Sequence, residues 1–246
     1  MTISAVVLGG GHPNDPLAQQ ANVSVKGLIP IAGQVMAAYV LKALRAGGVT
    51  KIIYVGAVSA ELEPLIDLHI AAKGTMLENL QAGLEPLQLE PRVLISTADI
   101  PLLSQAAVKD ILARDPKIGL VYPVVSKIAA ERDFAGGKRT YARLLEGTFT
   151  GGNLFLLEPS LIAAFLPRLE YILKNRKNVI ALAGMFGLGA LFKLAIGRLS
   201  ITELEQTVSR ILGVPAKALI TDFAEIGFDV DKPADLAIVL EHLGRR

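Results

Sequence analysis

A chain of 246 residues that is 52% hydrophobic can bury a large core, either as one α/β domain or as one domain with an appended lobe. Its 25 basic and 23 acidic residues are interspersed and leave a formal net charge of +2, and no basic stripe interleaved with aromatics marks a nucleic-acid surface. Cysteine is absent, which excludes thiolate zinc sites, disulfides and thiol catalysis together and fits a cytoplasmic protein.

The opening MTISAVVLGGG has neither a charged n-region nor a cleavage site, and its apolar run is of strand rather than signal length. A strand is expected near 3–8, followed by a glycine-rich turn. QVMAAYVLKALRAGG then carries apolar residues at helical spacing and stops on Gly47 and Gly48. Further strands are expected near 51–56, 92–97, 118–124, 153–157 and 226–230, with a helix after Asp99 that starts at the N-cap Ser104. Short β-branched runs alternating with helical patterns predict a mainly parallel sheet covered on both faces, an α/β three-layer sandwich.

Two segments depart from this rhythm. Residues 126–150, polar and glycine-bearing, read as an active-site loop. Residues 158–215 read as a mostly helical lobe inserted before the last strand, with Leu204, Val208, Ile211 and Leu212 as an apolar stripe, so residues 1–246 form one domain. Inside the lobe, 179–192 is apolar around its whole circumference and follows Lys174, Arg176 and Lys177. It is too short for a bilayer span, which takes roughly 20 apolar residues. It is expected to pack against the lobe or a second subunit, which makes a homodimer the candidate assembly and does not predict membrane association.

The chemistry is carried by the glycine turn and by acidic residues at strand ends. Gly9, Gly10 and Gly11 can offer backbone N–H groups to phosphate oxygens. A dinucleotide fingerprint is not complete, because Asn14 stands where its third glycine belongs and KIIYVG ends without an acidic residue. Asp99 and Asp231 follow buried strands, and two converging carboxylates are what a hard cation such as Mg²⁺ requires. Asp231 also suits a helix N-cap before Pro233, and Asp229 lies on the same strand face as a rival ligand. Lys138 and Arg139 are candidates to clamp a phosphate on an acceptor, with Thr150, Gly151, Gly152 and Asn153 as the floor of its pocket. His69 and His242 lack metal-ligand spacing.

KGLIPIAGQV, with Lys26, Leu28, Pro30 and Gly33, resembles the K-x-L-x-P-x-x-G-x-P motif of the MobA-like NTP transferases, with Val35 replacing the second proline. GTMLENLQAGL is similar to the family's base- and ribose-contacting segment, STADIPLL to its metal motif through Asp99 and Pro101, and DVDKPADL to its D-x-D-T-P-E-D-L ending, with Lys232 and Ala234 altered. The resemblance implies a Rossmann-like, GT-A-like fold of the nucleotide-diphospho-sugar transferase type. It implies transfer of a nucleoside monophosphate from an NTP to a phosphorylated or hydroxyl acceptor, with release of pyrophosphate. Lys26 and Asp99 would be catalytic, Asp99 and Asp231 would hold Mg²⁺, and Leu8, Gly9, Gly10, Gly11, Lys26, Gly74 and Asn79 would bind the nucleotide. The family's loop arginine has no counterpart between Gly11 and Lys26, where His12, or Lys138 and Arg139 from elsewhere, would have to substitute. A catalytically silent nucleotide-binding or membrane-associated regulatory protein is the alternative function.

Overall fold

The computed structural model describes residues 3–11, 14–114, 117–161, 165, 171 and 184–244. Its strands are β1 (Ser4–Gly9), β2 (Pro30–Ile31), β3 (Gln34–Val35), β4 (Lys51–Gly56), β5 (Leu68–Ile70), β6 (Val93–Thr97), β7 (Leu120–Ser126), β8 (Ala142–Leu144), β9 (Gly147–Gly151), β10 (Leu154–Leu157) and β11 (Ala216–Thr221). Nine of them form one sheet in the order β5-β4-β1-β6-β10-β7-β9-β8, with β11 paired in parallel to β7. Only β10 and β9 run against the other seven, so the sheet is mixed and mostly parallel in direction. The helices that lie wholly within the described residues are α1 (Pro16–Gln20), α2 (Met36–Ala46), α3 (Met76–Leu84), α4 (Gln105–Leu112), α5 (Lys127–Asp133), α6 (Leu188–Ala195), α7 (Ile201–Leu212) and α8 (Pro233–Gly244).

The core explains the sequence pattern. Central parallel strands are covered on both sides and therefore read as continuous apolar runs. Ala5, Val7, Ile52, Tyr54 and Leu94 pack under α2 and α4, which contribute Leu41, Leu44, Val108 and Ile111. Val6, Ile53, Val55, Val93 and Ile95 pack on the opposite face under Leu80 and Leu84 of α3. Gly83 lets α3 approach closely, since a Cβ there would lie 2.4 Å from Val6 Cγ1. Fully burying each large aliphatic side chain contributes about 1.5–3 kcal/mol. Ser104 caps α4 as expected, its Oγ accepting from Ala107 N at 3.1 Å.

Several expectations are corrected. Residues 226–230 form no strand: Ala224–Gly227 is a 3₁₀ turn, and the backbone bonds around it are isolated, Asn153 N donating to Ile226 O and Val230 N to Asp99 O. The alternation of Ile226, Phe228 and Val230 marks buried positions without a ladder. The last strand is instead β11, entered after the left-handed Gly213 and Pro215. Residues 126–150 are not a loop throughout, because α5 and the hairpin β8–β9 occupy much of them.

Of the expected lobe, α6 and α7 are described, and β11 follows directly; most of 162–183, including Lys174, Arg176 and Lys177, lies outside the described residues. Over its described part the apolar 179–192 run is partly packed: Ala190 lies against the cluster of Leu144, Phe149, Leu199 and Ile201, whereas α6 contains no fully buried residue and Leu188 and Phe192 are 73% and 66% exposed. No helix among the described residues is long and apolar enough to cross a membrane.

Candidate active site

The glycines after β1 are required by close approach rather than by a left-handed backbone, since none of Gly9, Gly10 and Gly11 has positive φ. A Cβ on Gly9 would lie 2.0 Å from Tyr54 Oη, and one on Gly10 would lie 2.6 Å from Asn79 Nδ2. Asn79 is buried in the first turns of α3, and its Oδ1 accepts from Lys73 N at 2.6 Å. The start of α3 is fixed by a capping box: Glu78 N donates to Thr75 Oγ1, and Thr75 N donates to Glu78 Oε2. Between this helix and the glycine turn lies a cleft of about 430 Å³, lined by Leu8, Gly10, Gly11, Lys26, Gly74, Asn79 and Asp99, together with Asp15, Lys73 and Thr97.

At one end of the cleft Lys26 meets both acidic motifs. Its Nζ lies 3.0 Å from Asp99 Oδ2 and 2.7 Å from Asp231 Oδ1, and it donates to Val230 O at 3.1 Å. Burial works against the ammonium, but Asp99 and then Asp231 outweigh it and hold the Lys26 pKa above the ordinary lysine value. Asp231 is also partly buried, yet the hydrogen bond and charge of Lys26 keep it below the usual carboxylate range. The helix-cap alternative for Asp231 is not realised: Asp235 Oδ2 accepts from the amides of Asp231 and Lys232.

Asp229 completes a trio with Asp99 and Asp231, with one carboxylate oxygen from each lying within 4.8 Å of the others. Burial, then the charges of Asp99 and Asp231, push the Asp229 carboxyl up to about 6. Asp99 Oδ1 is buried without a hydrogen-bond partner. An all-oxygen set with an orphaned carboxylate oxygen fits a hard divalent cation. Nearby, Tyr54 Oη is likewise buried and unpartnered, wedged by the bare Cα atoms of Gly9 and Gly27, and burial followed by Asp99 pushes its pKa above the ordinary value.

None of the expected acceptor residues is among those lining this cleft. Lys138 is exposed. The Arg139 side chain is 7% exposed and directed at the acidic segment, with Nη2 donating to Asp229 O at 2.6 Å and Nη1 to Asp235 Oδ1 at 3.2 Å. Thr150 and Gly152 are buried against the 226–227 turn, and the backbone of Asn153 bridges Ile226 O and Thr97 N. His12 lies outside the described residues. Sequence reasoning missed Thr97, Lys73 and Asp235; of these, only Asp235 carried a readable signal, as an acid in the first turn of α8.

The family model for the MobA-like NTP transferase domain matches residues 5–176. The chain belongs to that family. It superposes on a hypothetical transferase from Thermus thermophilus with a TM-score of 0.87 and 46% identity, covering 96% of this chain and 100% of the other. More distant likenesses show the fold alone. One is 2-C-methyl-D-erythritol 4-phosphate cytidylyltransferase, also from Thermus thermophilus, at TM-score 0.56 and 16% identity with both chains fully covered. Another is the protein Rv0371c from Mycobacterium tuberculosis H37Rv, crystallised in complex with manganese, at TM-score 0.54 and 16% identity, covering 98% of this chain and 99% of that one. No curated protein sequence matches the chain. The nine-stranded α/β architecture and the family agree that this is a nucleotidyltransferase fold.

Proposed function

We propose that the protein is a cytoplasmic, Mg²⁺-dependent nucleotidyltransferase, one catalytic unit over residues 1–246, that moves a nucleoside monophosphate from an NTP to a phosphorylated or hydroxyl acceptor. The observation that carries the reading is the convergence of Lys26, Asp99 and Asp231 within 3.0 Å contacts beside a glycine-walled cleft. Gly9–Gly11 admit the phosphates against the backbone, while Gly74 and Asn79 border the space for base and ribose. An acceptor oxygen attacks the α-phosphorus, the bond to the β-phosphate bridging oxygen breaks, and pyrophosphate leaves with that electron pair. Positioning and charge neutralisation dominate such a transfer. Asp99 and Asp231, with Asp229 beside them, would hold the divalent cation, which supplies charge neutralisation on phosphate oxygens when bound.

Lys26 is held charged and meets negative charge that develops on the triphosphate. Lys73, which lines the cleft, is a second cation there. Lys138, Thr150, Gly152 and Asn153 are kept as the acceptor residues on the strength of the sequence motif, with Thr150 and Gly152 packed on the 226–227 turn. The test is a thermal-shift series with the four NTPs, with and without Mg²⁺, followed by pyrophosphate release. A nucleotide at 100 times its Kd stabilises by about 2.7 kcal/mol. Asp99→Asn should remove the Mg²⁺-dependent part of that shift and turnover with it. Unchanged activity in the variant would take Asp99 out of the site, and nucleotide binding by the wild type with no turnover for any acceptor would identify a silent binding protein.

A further inference from the structure

We propose that Arg139 is a positioning residue for the acidic centre: it fixes the chain from Gly227 to Asp235 so that Asp229 and Asp231 meet Asp99, and it does not grip the acceptor. The inference rests on the reading of that centre as a divalent-cation site.

A guanidinium has five N–H donors. In Arg139, Nε donates to Gly227 O at 3.1 Å, Nη1 to Lys138 O at 2.9 Å and to Asp235 Oδ1 at 3.2 Å, and Nη2 to Asp229 O at 2.6 Å. Four donors are thereby committed inside the protein. One face of the guanidinium lies over the Phe228 ring, 4.2 Å from its centroid. A bidentate grip on an acceptor phosphate needs two parallel N–H groups, and those are not left.

The segment has reason to be held. It belongs to no sheet ladder, and although Lys26 draws Asp231 toward Asp99, the Asp229 carboxylate is brought beside two others that repel it. Arg139 opposes that repulsion by holding two carbonyls of the segment, at 227 and 229, and the Asp235 carboxylate on α8. Asp235 passes the restraint on, because its other oxygen accepts from the amides of Asp231 and Lys232 at 3.1 and 2.9 Å. The chain from Arg139 through Asp235 to the Asp231 backbone therefore sets where the Asp231 carboxylate emerges. A lysine cannot reproduce this, since a point charge lacks the planar fork that reaches 227, 229 and 235 at once.

The experiment uses the full chain and Mn²⁺ as the probe, titrated by electron paramagnetic resonance without nucleotide, with folding checked by circular dichroism. Arg139→Gln should weaken Mn²⁺ binding about tenfold or more, the range for partners that orient metal ligands. Arg139→Lys should recover little of it. Lys138→Gln should leave Mn²⁺ affinity unchanged. Mn²⁺ affinity retained in Arg139→Gln would overturn the proposal, whether the acceptor KM then rises or only the melting temperature falls. Should Arg139→Gln fail to fold, Asp235→Asn takes its place and must weaken Mn²⁺ in the same direction. A wild type that binds no Mn²⁺ rejects the metal reading and the positioning role together, whereas wild-type binding that survives the substitutions rejects only the positioning role.

Discussion

Asp229→Asn should make the metal-free protein more stable and the metal site weaker. In the folded chain the Asp229 carboxyl is pushed from its ordinary value of 3.8 to about 6, first by burial and then by Asp99 and Asp231. A gap of roughly 2 between the two values, at about 1.36 kcal/mol for each, amounts to roughly 3 kcal/mol at pH 7. The side chain is 25% exposed, so the difference between variant and wild type should fall within about 1–3 kcal/mol. The sign follows from the folded pKa lying above the unfolded one. Between these values the folded state binds the extra proton, so this group's contribution is fully favourable below about pH 4 and is lost as the pH rises through about 6.

Urea unfolding in EDTA at pH 5 and pH 7 measures this, with the wild-type-minus-variant difference cancelling the histidines. The variant should be the more stable protein at pH 7, and the gap should shrink at pH 5, where wild-type Asp229 is mostly protonated. Saturating Mg²⁺ should reverse the order, because it stabilises the wild type by mass action and the variant less. A gap that does not change with pH, or a variant less stable at pH 7 in EDTA, would refute the account of a repelled, buried carboxylate.

Lys26→Ala should lower turnover by roughly 10²-fold or more if the ammonium meets charge in the transition state, as measured by pyrophosphate release. A small change would return Lys26 to an ion-pair role. Gly10→Ala should raise the NTP KM, since its Cβ would fall 2.6 Å from Asn79 Nδ2. Combining it with Asn79→Ala should be clearly non-additive in stability, as neighbours that clash must be. Phe192→Ser, at a residue 66% exposed, should shift the unfolding free energy by no more than about 0.5 kcal/mol. A larger loss would show that α6 is packed in solution.

The strands β1, β4, β6, β7 and β10 and the helices α2 and α4 were legible because their signals are local: continuous apolar runs, a Gly47 stop and a Ser104 cap. Lys26, Asp99 and Asp231 were legible through motif resemblance, and they converge because the 226–231 segment docks on the turn after β6 through Val230 N on Asp99 O, with the Lys26 ammonium between the two carboxylates. What could not be read depends on tertiary neighbours. The alternation of Ile226, Phe228 and Val230 looks like a strand, yet its backbone partners are a turn and the Asp99 carbonyl. β11 lay hidden because a parallel pairing with β7 depends on a partner strand far away in sequence. Arg139 looks in sequence like any exposed basic turn residue, and only the return of the chain 88–96 residues later gives its donors their partners. The need for glycine at positions 9 and 10 was anticipated as phosphate access, whereas the immediate constraints are Tyr54 and Asn79, on β4 and α3.

The acidic centre is divided across the chain, with Asp99 closing an early strand and its two companions arriving near the far end, docked through Val230 N on Asp99 O. Synthesis proceeds from the amino terminus at roughly 5–20 residues per second, so the β5-β4-β1-β6 core and its cleft are made on the order of ten seconds before Asp229 and Asp231 exist. A ribosome-bound or prematurely ended chain would therefore have Lys26 and Asp99 without Asp229 and Asp231, the other two carboxylates of the trio. On the proposed function, unfinished molecules would be inert, and a protease cut between β11 and Asp229 that releases the final segment would silence a finished one.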